Sequence, residues 1–299
     1  MSEPASREIA EQPGGGRRFG RRRLLKYGMS AAAVGVMGLP MYAGLIEPHW
    51  IQVTHVDMPV RHLPPHLKGC RLIQISDLHV GPIVDMAYLK SVIDRVSQLE
   101  PDILAITGDF IHHVGTASQQ IEETESLLKD LAPPRLGTVA ITGNHDYGER
   151  WNHRSVADRL TDRLDAIGIR MLRNSVASVA GLQFAGVDDL WSPDFDLEVV
   201  RLLDREAASI VLCHNPDAAD LDGWGEYRGW VLAGHTHGGQ CRIPVYGAPI
   251  LPVQNRQYVA GITRAPGGRT LYINRGIGYL RRVRFMVRPE ITVFNLQPG

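Results

Sequence analysis

From residue 51 onward the chain alternates between two kinds of apolar pattern. One is the short continuous run: "RLIQIS", "ILAIT", "TVAIT", "LQFAGV", "SIVLC", "GWVLA", "TLYIN" and "EITVFNL". Several of these runs are continuous where a half-buried strand would alternate, which predicts strands covered on both faces. The other pattern has helical spacing. Over 86–100, Leu89, Val92, Ile93, Val96 and Leu99 fall on one face behind Asp85, a residue able to cap the first turn. Over 155–167, Val156, Leu160, Leu164 and Ile167 do the same, and Gly168 ends the helix. Residues 118–131 and 196–206 are further helical segments. Strand and helix alternate through the first part, so the pattern predicts an α/β core. The last third is richer in strands and turns and predicts a second sheet. No repeat or low-complexity linker interrupts residues 51–299, which are expected to form one domain.

Residues 1–50 read differently. They hold seven Lys/Arg against four Asp/Glu, so the formally neutral chain has a body with a net charge of −3. That body offers no electrostatic footprint for nucleic acid. "EQPGGGRRFG" reads as a flexible tail. Arg21, Arg22, Leu24, Leu25 and Lys26 then resemble a twin-arginine export signal, followed by the apolar stretch Tyr27 to Ile46. The expectation is export across the cytoplasmic membrane, with a periplasmic or membrane-anchored product; an uncleaved, inside-positive anchor stays open. Three cysteines, Cys70, Cys213 and Cys241, allow at most one disulfide and form no CxxC pair.

The chemistry sits where the runs stop. "RLIQIS" is followed by Asp77 and His79, "ILAIT" by Asp109, "TVAIT" by Asn144, His145 and Asp146, "SIVLC" by His214, and "GWVLA" by His235 and His237. Ligands of open α/β sheets gather at the carboxyl ends of strands. The intervals from Asp77 to Asp109 and from Asp109 to Asn144 each fit a βαβ crossover of about thirty residues. Seven groups (Asp77, His79, Asp109, Asn144, His214, His235, His237) are too many for one tetrahedral zinc. They suit two divalent ions sharing a carboxylate, and a thiolate-free N/O set is consistent with Mn, Fe or Zn. The i, i+2 spacing within Asp77/His79 and His235/His237 predicts that each pair faces one way on extended backbone.

The ordered motifs D-x-H, G-D, G-N-H-D, H and G-H-x-H resemble those of the calcineurin-like metallophosphoesterases. "GHTHGGQ" and "NRGIGYLRRVRFMVRPEI" are similar to its twin-arginine-exported bacterial phosphodiesterase branch. The resemblance implies two packed mixed β-sheets flanked by helices, an αββα sandwich. It also implies residue roles. Asp77, His79 and His237 would bind one metal, Asn144, His214 and His235 the other, and Asp109 would bridge both. His145 would be the catalytic acid and Asp146 would orient it.

The expected function is therefore dinuclear phosphodiester hydrolysis through a metal-bridging hydroxide, on a small-molecule or lipid-linked cell-envelope diester and beside a membrane. A phosphomonoesterase, a nuclease and a non-catalytic scaffold on the same site are the alternatives. Amidohydrolases and β-lactamase-like hydrolases place His-x-His early; here it comes last. Seven of the twelve histidines lie outside the motifs and are expected as solvated or hydrogen-bonded surface histidines; His112 and His113, which follow Asp109 closely, have contact with substrate as the alternative. Asp188 and Asp189 close another run and are expected to be structural loop carboxylates, with a place behind the ligands as the alternative. Cys213 and Cys241 are expected to pack. Arg281, Arg282 and Arg284 are expected on a solvated face, where they could also meet lipid phosphates.

Overall fold

The computed structural model describes residues 38–299. The flexible tail, the twin-arginine motif and most of the apolar stretch after it lie outside the described residues. No helix among those described is long and apolar enough to cross a membrane. Everything below concerns the unit Tyr42–Gly299.

Twelve strands lie along the described chain: β1 (Gln52–Val60), β2 (Arg71–Ile75), β3 (Ile103–Thr107), β4 (Gly137–Ile141), β5 (Ile169–Met171), β6 (Ser175–Val179), β7 (Leu182–Val187), β8 (Ser209–Cys213), β9 (Trp230–Ala233), β10 (Gly261–Arg264), β11 (Thr270–Ile273) and β12 (Glu290–Pro298). Three α-helices intervene: α1 (Met86–Gln98), α2 (Ala117–Lys129) and α3 (Arg154–Asp165). The strands make two six-stranded sheets, ordered β1-β12-β2-β3-β4-β5 and β10-β11-β9-β8-β7-β6. Both are mixed: β2, β3, β4 and β5 run parallel while β12 is antiparallel to β2, and β7, β8, β9 and β11 run parallel between antiparallel edges.

The sheets pack face to face. Leu72, Ile103, Ala105, Val139 and Ile141 of the first meet Phe184, Ile210, Leu212, Leu232 and Tyr272 of the second in one buried cluster. The outer face of the first sheet is covered by the apolar stripes of the α-helices, including Leu89, Val92, Val96 of α1 and Leu160 and Leu164 of α3. The outer face of the second is covered by shorter elements. Residues 196–206, expected as an α-helix, form instead the 3-10 helix Leu197–Leu202, which still buries Leu197, Val199 and Val200. A second 3-10 turn, Pro216–Asp220, completes that layer with Ala218 and Ala219. The architecture is thus the expected sandwich of two mixed sheets between helical layers. Capping follows the sequence too: the Asp85 side chain accepts the Ala87 N–H at 2.8 Å.

Candidate metal centre

In the first sheet β2, β3 and β4 lie side by side and parallel; in the second, so do β8 and β9. The loops that leave their C-terminal ends carry all the expected site residues to one end of the sandwich. Those loops do not continue the extended strand. Asp77, His79, Asp109, His235 and His237 all sit in left-handed backbone, with φ of 55°, 50°, 56°, 69° and 49°. This corrects the extended i, i+2 reading. Asp77 Oδ1 and His79 Nε2 come to 4.0 Å of each other, whereas His235 and His237 join different donor groups; positive φ at such residues costs about 1–3 kcal/mol each. Glycine makes room for the packing: a Cβ at Gly143 would stand 2.3 Å from an Asp109 carboxylate oxygen, and one at Gly234 would stand 2.0 Å from the Ser76 hydroxyl.

The seven expected ligands are all buried. Three overlapping groups bring a donor atom from each member within 4.8 Å of one another: Asp77, His79 and His237; His79, Asp109 and His145; Asp109, His214 and His235. The Nε2 atoms of His79 and His237 are 3.0 Å apart. Asp77 Oδ1 lies 3.4 Å from His237 Nε2, and Asp109 Oδ2 lies 3.5 Å from His79 Nε2 and 3.2 Å from His214 Nε2. His235 Nδ1 is 3.3 Å from His214 Nε2. Asp109 belongs to two of the groups and lies beside the His79 imidazole of the remaining one.

Two observations fit cations to this cluster. Both amide atoms of the Asn144 side chain are buried without a hydrogen-bond partner, a costly state that a metal bond to its oxygen would relieve. The charge is also unbalanced. Burial, with Asp109 as a like-charged neighbour, raises the Asp77 pKa to about 7 and that of Asp146 to about 8. Burial lowers His79 and His237 well below the ordinary imidazole range, and His235 to about 3. Neutral imidazoles with their ring nitrogens turned toward crowded carboxylates are a donor set for divalent ions. His214 is the exception: burial disfavours its cation, but Asp109 outweighs burial and holds the pKa well above the ordinary value. Its Nδ1 lies 2.7 Å from the Thr107 carbonyl, which fixes the ring as a ligand's outer partner does.

His145 lies beside the cluster, its ring edge-on to His79 at 4.6 Å and its backbone N–H donating to Asp109 Oδ1 at 2.9 Å. The expectation that Asp146 orients this ring is corrected. Asp146 Oδ1 accepts the N–H groups of Phe110 and Ile111, and Oδ2 accepts that of Gly143, so the carboxylate ties the β3 loop to the β4 loop. The ring's partner is His113, whose Nδ1 lies 2.8 Å from His145 Nδ1; one ring donates and the other accepts. His112 stacks on His113 at 4.8 Å between centroids, and a cavity of about 670 Å³ opens along His112, His113, Gly148, Glu149 and His153.

Asp188 and Asp189 are buried near the site. Asp188 holds Arg173 at 3.2 Å and the Thr142 hydroxyl; Asp189 Oδ1 accepts the Trp191 N–H. Cys213 is buried and Cys241 partly so, and both are free thiols. Arg284 overturns its expectation. Arg281 and Arg282 are exposed, but Arg284 is fully buried, donating to the carbonyls of Arg275, Gly276 and Gly278. It braces the loop whose Gly276 packs against Asp77. Two aromatic rings missed in the sequence also flank the site: Trp191 stands edge-on to His235 at 4.6 Å and stacks on Trp151 at 4.8 Å.

Comparison with known proteins gives a concordant result. A family model for calcineurin-like phosphoesterases matches residues 70–239. The metallophosphoesterase YkuE of Bacillus subtilis is 35% identical over 94% of this chain and 99% of its own. The phosphodiesterase YaeI of Escherichia coli is 29% identical over 92% and 98%. The UDP-2,3-diacylglucosamine pyrophosphatase LpxG of Chlamydia trachomatis is 27% identical over 90% and 97%.

Proposed function

The chain belongs to the calcineurin-like phosphoesterase family and is a metal-dependent phosphoric ester hydrolase, and on that premise we propose that it hydrolyses a phosphodiester of the cell envelope, small or lipid-linked, with two divalent ions. The convergence on Asp109 carries the reading: one buried carboxylate lies 3.5 Å from the imidazole of one prospective ligand group and 3.2 Å from that of the other. Asp77, His79 and His237 would hold one ion, and Asn144, His214 and His235 the second. Divalent ions there supply Lewis acidity for the phosphoryl oxygens and lower the pKa of water toward neutrality.

The chain's own groups supply the rest. His145 stands at the edge of the donor cluster, where it would protonate a departing alkoxide. His113 holds that ring from outside through the 2.8 Å Nδ1 contact. The cavity along His112, His113, Glu149 and His153 lies on this side of His145, so it is the natural room for the leaving group. Two relatives whose names state diester or pyrophosphate chemistry, YaeI and LpxG, align along nearly their whole lengths and favour a diester over a monoester. The twin-arginine-like motif favours export, and the apolar stretch after it favours a product held at a membrane. The slightly acidic body speaks against a nucleic-acid substrate.

The test strips the purified protein of metal and reloads it with Mn, Fe or Zn in turn. Hydrolysis of a nitrophenyl phosphodiester should return with metal and exceed that of the matching monoester. A clear preference for the monoester would overturn the diester assignment.

A further inference from the structure

Three segments of the chain beside the metal centre form one surface that folding alone does not account for. The loop after His237 runs through Arg242 to Ile250; its Arg242 N–H donates to the Phe285 carbonyl at 2.8 Å, and Phe285 N–H to Gln240 at 2.9 Å. The next segment, 280–288, is joined to 42–50 by the Arg284 N–H on the Ala43 carbonyl at 2.9 Å and by Val287 N–H on the buried Glu47 carboxylate. Arg288 donates to the Trp50 carbonyl and lies 4.1 Å over the Trp50 ring.

This surface is apolar and basic together. The loop exposes Ile243, Val245, Tyr246 and Ile250, and the two neighbouring segments expose Leu45, Ile46, Trp50, Leu280 and Met286. Isolated exposed apolar residues are ordinary; a contiguous set of this size marks an interaction surface. Arg242, Arg281, Arg282 and Arg288 lie in the same segments, whose sole acid, Glu47, is buried.

The backbone adds an independent sign. Val245 is fully exposed at φ 70°, and Met286 is a little more than half exposed at φ 57°. A β-branched residue at positive φ is an outlier that glycine or asparagine would relieve. Both positions combine positive φ with an apolar side chain turned to solvent.

We propose that this face docks on an anionic lipid bilayer, with Val245, Tyr246, Ile250 and Met286 entering the acyl boundary and the arginines meeting headgroup phosphates. Charge complementarity favours lipid over a second copy of this slightly acidic chain, because arginines of two identical faces would oppose one another. An aromatic and arginine rim around aliphatic tips is the composition of an interfacial anchor. The docked face borders His237 through Gln240, so the bilayer surface would lie against the metal centre. The inference deepens the proposed lipid-linked substrate class and rests on it only for that consequence.

The test uses the full chain reconstituted in vesicles of phosphatidylcholine and phosphatidylglycerol that carry a diazirine in the acyl chain. After illumination, the lipid adducts are mapped by mass spectrometry. Adducts should appear on 242–250 and 280–288. They should fall several-fold in V245N/M286N, a pair chosen because asparagine suits both backbones and keeps the fold. Metal-dependent hydrolysis of the soluble nitrophenyl diester should be unchanged in that variant. Adducts absent from both segments, unaffected by the two substitutions, or replaced by protein–protein cross-links at this face would overturn the docking surface. With soluble diesterase activity retained, such a result leaves the phosphodiesterase reading standing; loss of that activity in the wild-type chain would fell the other reading instead.

Discussion

His145 and Asp146 are neighbours in sequence that the structure sends to different tasks. His145 reaches the donor cluster, whereas Asp146 accepts three backbone N–H groups from two loops. Replacing His145 with alanine should slow hydrolysis of a diester with a poor leaving group by on the order of 10²–10⁴-fold. Nitrophenyl diesters should lose much less, and bound metal measured by elemental analysis should stay at the wild-type level. Parallel loss of metal and of activity on both substrates would contradict the acid role. Asp146→Ala should act on stability first, lowering it by roughly 2–4 kcal/mol in urea unfolding because buried N–H groups lose their acceptor. A variant with the wild-type midpoint and the kinetics of the His145 variant would restore the carboxylate–imidazole pairing. The ligand types were legible because carboxylates and imidazoles follow strand ends in order. The contact between His113 and His145 was not, since it depends on how the loop after Asp109 curls. Nor was the burial of Arg284, whose partners are carbonyl oxygens that leave no mark in a sequence.

At the level of elements, what the apolar pattern found and missed follows sheet position. All eight continuous runs are interior strands, each flanked by two others and covered on both faces. The four strands it missed, β1, β5, β6 and β10, are the four sheet edges. An edge strand is short or half solvated, so its sequence need not be continuously apolar: β10 buries no residue fully and β5 has only three residues. The helices were legible through their apolar stripes, and α1 also through its cap. Asp85→Ala should therefore destabilise the fold by about 1 kcal/mol, and Asp85→Asn by much less, in the same unfolding assay. An equal loss in both would mean that the carboxylate charge, rather than the cap hydrogen bond, matters there.

The sandwich as a whole brings parallel strands of two sheets to one cluster, whose candidate ligands come from both sheets. Metal should then act as a cross-link between layers as well as a reagent. Chelation should lower the melting temperature, and reloading at about a thousandfold above the dissociation constant should restore about 4 kcal/mol of stability. Hydrogen exchange should localise the loosening to the loops after β2, β3, β4, β8 and β9, with the core between the sheets still protected. The most direct test of the centre itself is anomalous diffraction at the manganese edge from crystals of the Mn-loaded protein. The account predicts two peaks about 3.5–4 Å apart, with Asp109 touching both, Asp77, His79 and His237 around one, and Asn144, His214 and His235 around the other. A single peak, or peaks away from these side chains, would contradict it.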